Sequence, residues 1–290
     1  MELSSFVKVV EEFVAKKGIS KATLARSVGV SPATLTQVLK GTYGGNWDNV
    51  ATKVLNYIKN YSEEQEKGKS VWVETKNTKF VRFIVNKTVK SGKIAIVWGE
   101  AGSGKTETLK RIASELGNAL FIEIDAATTT RSLFYKITTA LKVQGKRSLS
   151  DTLDVIVKAL ENRDVVLFFD ECEYLNHKSI ELLRRINDFT NTPIILSGTY
   201  DFMEKLKAHR QLASRIRFGW EMRKPTKEEI ALYCAGFGIR SERVANLIYE
   251  KARANFRDIE AIVADSLEID TDGVVDVSDV KSALEIAFIY

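Results

Sequence analysis

The sequence GEAGSGKT at residues 99–106 decides how this chain folds. It has the form G-x-x-x-x-G-K-[ST] and lies between an apolar, β-like run at residues 93–98 and a helix-like run at residues 108–116. The glycines allow the backbone to bend, so that its N–H groups and the N-terminus of the following helix face the phosphates of a nucleotide. We therefore predict a nucleotide site in which the lysine and threonine reach the β- and γ-phosphates and Mg²⁺. Its expected members are Gly99, Gly102, Gly104, Lys105 and Thr106.

Outward from this loop, residues 71–224 alternate between strand-like and helix-like segments. Strands are predicted at residues 119–124, 165–171 and 193–199, the last two with polar ends, and helices at residues 131–141 and 149–160. Such alternation is typical of a parallel sheet covered by helices, so the predicted fold class is α/β. Ligands bind beyond the carboxyl ends of parallel strands, which makes the residues that follow each strand candidate site residues.

Two acids follow the apolar run at residues 165–169. Asp170 stands where a carboxylate beside the phosphate loop can hold Mg²⁺, directly or through water. The next carboxylate, Glu171, is expected to polarise the water that attacks the nucleotide. The plain alternative is a pair of acids that ends a strand at the protein surface, and Glu173 is given no role.

Further polar positions follow the next apolar strand. Thr199 is the predicted sensor of the γ-phosphate, with Ser197 as the alternate, because this strand end should reach the same edge of the sheet. Downstream, Arg215 and Arg217 have apolar neighbours within the segment at residues 211–218. On a lone helix or strand, arginines in such a segment would usually form an exposed basic edge.

Residues 1–61 are predicted to form a small helical domain with a helix-turn-helix pattern. Serine caps begin its second and third helices, and Gly29 separates them. The exposed face of the third helix, which includes Thr34 and Gln37, would then face the major groove of DNA. The alternative is a helical bundle that serves protein contacts. The polar residues 62–70 are predicted to be a linker.

The residues after the α/β segment contain only helical patterns. A capping box formed by Thr226 and Glu229 begins them. The predicted domains are therefore a helix-turn-helix domain at residues 1–61, a linker at 62–70, an α/β core at 71–224 and an all-helical domain at 225–290.

Composition is that of an ordinary globular protein: 290 residues, 44% hydrophobic and 28% charged. No apolar run is long enough to cross a membrane, and no signal peptide is visible, so we expect a cytoplasmic protein without a membrane partner. The 2 cysteines suggest neither a disulfide framework nor a metal site. A net charge of +5 is compatible with a nucleic-acid partner, but is also common in proteins that bind only nucleotides.

The phosphate loop, the acids, the polar strand end, the arginine after a helix and an Asn-Phe-Arg segment occur in the order found in AAA+ ATPases. More narrowly, the chain resembles the phage Mu B group of transposition helper ATPases. The resemblance implies ATP and Mg²⁺ as cofactors, Asp170 as the Walker B acid and Glu171 as the catalytic carboxylate. It also implies that Thr199 is sensor 1, although that position is often asparagine, and that Arg257 is sensor 2 in a C-terminal helical lid. Arg215 matches the arginine finger, with Arg217 as the fallback.

An arginine finger completes the site of a neighbouring subunit, so the resemblance implies a homo-oligomer, a ring or helical filament, in the ATP state. It further implies largely sequence-independent binding of double-stranded DNA, recruitment and stimulation of a transposase, and disassembly on ATP hydrolysis. The candidate phosphate contacts are Lys146, Arg147 and Arg184, each of which could equally be a solvated charge. The rival hypotheses are a nucleotide-regulated transcription factor and a secretion-type AAA+ ATPase that acts on protein.

Overall fold

The chain divides into two units, Met1–Ser70 and Val71–Tyr290. The structure is a computed structural model and describes residues 3–17, 19–67, 71–161 and 163–287. Within the first unit it places four helices. They are α1 (Leu3–Lys17), α2 (Lys21–Ser27), α3 (Pro32–Leu39) and α4 (Trp47–Lys67).

The helix pair α2–α3 has the local structure that its sequence predicts. Ser20 and Ser31 accept hydrogen bonds from Thr23 N and Thr34 N at the two helix starts, and Gly29 takes a φ of 70° between the helices. Apolar side chains of α1 to α4 enclose one core, which includes Phe6, Val10, Leu24, Ala25, Leu35, Val38 and Val54. The use of α3 to bind DNA stays a prediction.

The linker predicted at residues 62–70 is wrong for its first part, because α4 continues to Lys67. Residues 62–67 are polar, but glutamate, glutamine and lysine are also good helix formers, and composition alone did not separate a linker from the end of a helix. Residues 68–70 lie outside the described residues.

The second unit is built on a parallel sheet, as predicted. Its strands are β1 (Ile94–Trp98), β2 (Ala119–Glu123), β3 (Val166–Asp170), β4 (Ile194–Gly198) and β5 (Ile216–Glu221), in the order β2-β3-β4-β1-β5. All neighbouring strands pair in parallel, so their carboxyl ends meet at one edge of the sheet. The order puts the end of β4 between the end of β1, where the phosphate loop starts, and the acidic end of β3.

Helices cover both faces of this sheet. They are α5 (Lys76–Ser91), α6 (Lys105–Leu116), α7 (Thr130–Leu141), α8 (Leu149–Glu161), α9 (His177–Thr190), α10 (Tyr200–Ala208) and α11 (Arg210–Ala213). Alternate residues of β1 face opposite cores: Ile94 and Ile96 pack with residues of α7, α8 and α9, whereas Ala95 and Val97 pack with residues of α5 and α6. The central strands β1, β3 and β4 are therefore buried on both faces, which explains their continuous apolar sequences.

The C-terminal helices are α12 (Lys227–Gly236), α13 (Glu242–Lys251), α14 (Phe256–Ile269) and α15 (Val277–Ile286). They enclose a core of their own, against which Val71 and Val73 pack. Glu229 joins this segment to α5, because its carboxylate accepts from the backbone N of Lys76 at 2.7 Å and from that of Thr226 at 3.0 Å. No helix in the described part of the chain is both long and apolar enough to cross a membrane.

Candidate nucleotide-binding and catalytic site

The phosphate loop connects β1 to α6, as its sequence requires. Gly104 precedes the first residue of α6 and has a φ of 84°, a left-handed conformation that favours glycine. Lys105 folds back over the loop and donates from Nζ to the carbonyls of Gly99 at 2.9 Å and Glu100 at 2.7 Å. Burial lowers the pKa of Lys105, and the charges of nearby carboxylates, first of all Glu173, oppose this shift. The loop thus carries a partly desolvated positive charge at the N-terminus of a helix, which suits a phosphate.

Thr106 and Asp170 meet directly at the start of α6. The Thr106 hydroxyl donates to Asp170 Oδ2 at 2.6 Å, and the other carboxylate oxygen accepts from Glu171 N at 3.0 Å. Asp170 is only 2% exposed, and its negative charge lies beside the loop that receives the phosphates. Hydroxyl and carboxylate oxygens are the ligands that Mg²⁺ prefers, so this pair fits the predicted metal position.

Glu171 follows Asp170 in a left-handed conformation, with a φ of 56°. A non-glycine residue is uncommon in this region, and backbone outliers of this kind concentrate at functional sites. Burial raises the pKa of the Glu171 carboxyl, and the charges of Asp170 and Glu173 raise it further, while Arg257 lowers it. A carboxylate with a raised pKa is a better proton acceptor than an ordinary surface glutamate.

Two hydroxyls near the end of β4 lack a partner in the part of the chain that the structure describes. Ser197 Oγ and Thr199 Oγ1 are buried, and neither makes a hydrogen bond within the described residues. Buried polar atoms are rarely left in this state, and β4 lies between the strands that carry the phosphate loop and the acids. Both residues predicted as alternatives for the γ-phosphate sensor are therefore available to a ligand.

Glu173, which sequence reasoning left without a role, is also part of this site. Its Oε2 is buried without a hydrogen-bond partner in the described part of the chain, and its charge affects both Lys105 and Glu171. The residue lies on the 3₁₀ turn Cys172–Tyr174, directly after the two acids. The signal that could have found it was its position two residues after Glu171, in the same short acidic segment.

The start of α14 contacts the phosphate loop through one backbone N–H and one side-chain amide. Phe256 N donates to Gly102 O at 2.9 Å, and Asn255 Nδ2 donates to Ala101 O at 3.4 Å. Asn255 also caps α14, because its Oδ1 accepts from Arg257 N at 2.9 Å. Gly102 has a φ of 75°, and a Cβ there would overlap the Asn255 side chain. The sequence indicated a helix start at Asn255 but gave no sign of this contact.

The residues that lead into α14 are conformationally unusual, and the helix brings Arg257 to the site. Arg253 and Ala254 are consecutive left-handed residues, with φ values of 50° and 57°. Arg257 is exposed, and its charge lowers the pKa of both Lys105 and Glu171. The predicted sensor therefore lies close enough to influence Lys105 and Glu171 of its own chain.

Arg215 lies apart from this group, between α11 and β5. Its side chain is 47% exposed, and its Nε donates to Asp188 Oδ1 on α9 at 2.6 Å. Residues 211–218 form neither a single helix nor a single strand, because they include most of α11 and the first residues of the edge strand β5. Arg217, the fallback residue, is exposed on β5.

The candidate DNA contacts have different surroundings. Lys146 and Arg147 are exposed in the loop between α7 and α8, and Lys146 N donates to Thr152 Oγ1 at 2.9 Å. Arg184 instead forms ion pairs with Glu181 and Asp188, and its side chain is 19% exposed. Its charge is therefore already paired and is not available to a DNA phosphate. In the first unit, Gln37 is exposed and Thr34 is half-buried.

Known proteins resemble this chain in sequence and in fold. Residues 87–206 match the family described as AAA domain. The Mu-like prophage FluMu DNA transposition protein B of Haemophilus influenzae is 20% identical, with 83% of this chain and 88% of that protein covered. The ATP-dependent target DNA activator B of Escherichia phage Mu is 21% identical, over 79% of this chain and 77% of that protein.

Among solved structures, the Aeropyrum pernix ORC2 protein, determined as ADPNP-ADP complexes, superposes with a TM-score of 0.56. It is 15% identical and covers 73% of this chain and 68% of its own, a likeness that concerns the fold. The family match spans the phosphate loop, both acids and the end of β4, and the two B proteins extend the likeness over most of the chain. The chain is therefore an AAA+ ATPase that resembles the Mu B transposition proteins.

Proposed function

We propose that this AAA+ ATPase acts in the cytoplasm in DNA transposition. ATP promotes its assembly on double-stranded DNA, largely without regard to sequence, and the assembly captures the target DNA and recruits and stimulates a transposase. Hydrolysis of ATP then drives disassembly. The names of the relatives, a DNA transposition protein and an ATP-dependent target DNA activator, support this proposal.

The observation that carries the ATP-dependent part is the direct contact between Thr106 and Asp170, at 2.6 Å. It joins the helix that follows the phosphate loop to the acidic end of β3. In this proposal Gly99, Gly102 and Gly104 shape the loop, and Lys105 exchanges its backbone partners for the phosphates. Thr106 and Asp170 would hold Mg²⁺, which neutralises charge on the β- and γ-phosphates when bound.

Hydrolysis needs a proton acceptor and groups that recognise the terminal phosphate. Glu171 accepts the proton of the attacking water, a role that its raised pKa suits. Thr199 donates its free hydroxyl to the γ-phosphate, with Ser197 as the alternate donor. Arg257, at the start of α14, responds to the same phosphates, and this role makes the C-terminal helices a lid on the site.

In this proposal, assembly of the subunits depends on Arg215, which completes the nucleotide site of a neighbouring subunit. Its partner is Asp188 rather than its own phosphate loop, and nearly half of its side chain is exposed, which suits a charge supplied to the nucleotide of a neighbouring subunit. A ring or a helical filament places every finger beside a neighbouring site. Occupancy by ATP therefore stabilises the subunit interface, and hydrolysis weakens it.

DNA binding without sequence preference requires contacts with phosphates. We propose Lys146 and Arg147 for this role, because both are exposed in the loop between α7 and α8. Thr34 and Gln37 on α3 are the candidates in the helix-turn-helix unit, where the serine-capped start of α3 supports a DNA-facing helix.

Electron microscopy of the protein with random-sequence duplex DNA tests this function, comparing ATP, ADP and no nucleotide. We expect ordered assemblies with ATP only. Lys105→Ala should abolish ATP binding and ATP-dependent DNA binding, because the loop loses its phosphate ligand. Glu171→Gln should keep assembly but block turnover. Equal DNA affinity and equal oligomer size in all three nucleotide states would refute the proposal.

A further inference from the structure

We propose that Asp188 is a positioning residue for catalysis, which holds the arginine finger Arg215 in the orientation that reaches the neighbouring subunit's nucleotide. This inference rests on the proposed function, because it takes Arg215 to act in trans. What carries it is the ion pair between Arg215 Nε and Asp188 Oδ1, at 2.6 Å.

The atom that Asp188 contacts determines what Arg215 can still do. The carboxylate takes the inner nitrogen, Nε, and no hydrogen bond of either terminal amino group is found in the described part of the chain. A guanidinium held at Nε is restrained in direction, while its terminal N–H groups remain free to donate forward to a phosphate. A carboxylate that sequestered the finger would be expected to pair with those terminal groups instead.

Asp188 is itself held from the opposite side. Arg184 donates from Nη1 to Asp188 Oδ2, while its Nε and Nη2 donate to the Glu181 carboxylate. The Asp188 side chain is 23% exposed and that of Arg184 is 19% exposed, so both are shielded relative to the half-exposed Arg215. Glu181 therefore holds Arg184, Arg184 holds Asp188, and Asp188 in turn holds the finger.

The position of this network in the fold is suited to such a role. Glu181, Arg184 and Asp188 all lie on α9, a helix of 14 residues that packs its apolar side on the core of the sheet. Arg215 comes from a short connection between α11 and β5. A finger on a short connection gains a fixed direction from a regular element, and misplacement of a catalytic group by about 1 Å can cost roughly 100-fold in rate.

Steady-state ATPase kinetics in the presence of DNA provide the first test. Asp188→Ala should lower kcat by roughly 10-fold to 100-fold, with KM for ATP changed less than about twofold, because the subunit's own nucleotide pocket is untouched. The matched control is Glu204→Ala, which removes an exposed acid paired with Lys207 on α10 and should leave kcat unchanged. An increase in kcat would show that Asp188 sequesters the finger, and would overturn the proposal.

Mixed assemblies separate this inference from the proposed function. Glu171→Gln subunits cannot hydrolyse their own ATP but carry an intact finger. Mixed with Asp188→Ala subunits, they should give ATPase activity at least about fivefold above the sum of the two alone, since each Asp188→Ala site then meets a good finger. Asp188→Ala mixed with Arg215→Ala should show no gain, because neither partner supplies one.

The Arg215→Ala and Glu171→Gln mixture decides which idea fails. No gain in that mixture would show that Arg215 is not a finger in trans, and would remove the proposed assembly mechanism. A gain there without a gain for Asp188→Ala with Glu171→Gln would overturn the role of Asp188 alone. Asp188→Asn, which keeps the size and an acceptor oxygen, covers the case in which the alanine variant does not fold. It should lose less kcat than Asp188→Ala and respond to the same mixing, and a variant unaffected in kcat would count against the proposal.

Discussion

Single residues of the candidate site are tuned by charges from different elements. Burial raises the pKa of Glu171, the charges of nearby acids raise it further, and the charge of Arg257 lowers it. Lys105 receives the same kind of opposing influences, with burial as the largest. The chemical state of each group is therefore set by its neighbours, and a change at one position should be measurable at another.

The pH dependence of ATP hydrolysis should report this arrangement. Glu171 acts as a base only when ionised, and its pKa is raised from the ordinary glutamate value, so kcat should rise with pH as this carboxyl ionises. Arg257→Gln removes a charge that lowers this pKa, and should move the acid limb of the kcat profile to higher pH. Arg240→Gln, at an exposed arginine between α12 and α13, is the control and should leave the limb in place. An unmoved limb in Arg257→Gln would contradict the placement of Arg257.

Among the elements, α14 and the phosphate loop are the least expected partners. Their contact depends on a backbone hydrogen bond from Phe256 N to Gly102 O, and on the absence of a side chain at Gly102. The C-terminal helices therefore touch the nucleotide loop itself, in addition to presenting Arg257.

Alanine substitutions at two left-handed glycines can measure this contact. Gly117, at the end of α6, has a φ of 71°, and an added Cβ there would meet no atom within 4 Å. Gly117→Ala should therefore lower the free energy of unfolding by about 1–2 kcal/mol from backbone strain alone. Gly102→Ala has the same strain and also overlaps Asn255, and should cost about 1–3 kcal/mol more. Denaturant unfolding provides the comparison.

Asn255→Gly in the Gly102→Ala background should recover most of that further amount. Glycine is tolerated at a helix N-cap at a cost of only a few tenths of a kcal/mol, so the cap itself changes little. Equal destabilisation by Gly102→Ala and Gly117→Ala would mean that the contact between α14 and the loop contributes nothing.

The elements also show what a sequence can and cannot predict. The phosphate loop, β3 with its acidic end and the caps at Ser20, Ser31 and Thr226 follow from local patterns, and each has the predicted local structure. The helical end of α4 and the edge strand β5 did not follow, because a polar helix resembles a linker and an edge strand has a weak pattern. Contacts between distant segments, such as Asp188 with Arg215 or Asn255 with the loop, leave no local pattern at all.

At the scale of the whole molecule, a net charge of +5 says little about where DNA binds. Many basic side chains are already paired, among them Arg184 with Glu181, Lys207 with Glu204 and Lys227 with Glu250. Salt dependence distinguishes paired from free charges, because only cations that contact DNA phosphates release counterions on binding.

Replacing Lys146 and Arg147 together by alanine should reduce the slope of log affinity against log salt by roughly 2, about one for each lost phosphate contact. The matched control replaces Lys207 and Lys227, which removes the same net charge from lysines that are already paired. That control should leave the slope unchanged. Equal slopes for both double variants, measured on random-sequence duplex DNA, would exclude Lys146 and Arg147 from the DNA path.

The consecutive left-handed residues Arg253 and Ala254 place backbone strain in the second unit of the chain. Each holds a conformation that costs a non-glycine residue about 1–2 kcal/mol, and both lie between the last residue of α13 and the first residue of α14. Arg253 N and Ala254 N donate to the carbonyls of Glu250 and Tyr249 at the end of α13, and two residues later Phe256 N donates to Gly102 O in the phosphate loop. The contact between α14 and the phosphate loop is therefore reached through a segment whose backbone conformation costs about 2–4 kcal/mol, a cost that the surrounding contacts offset.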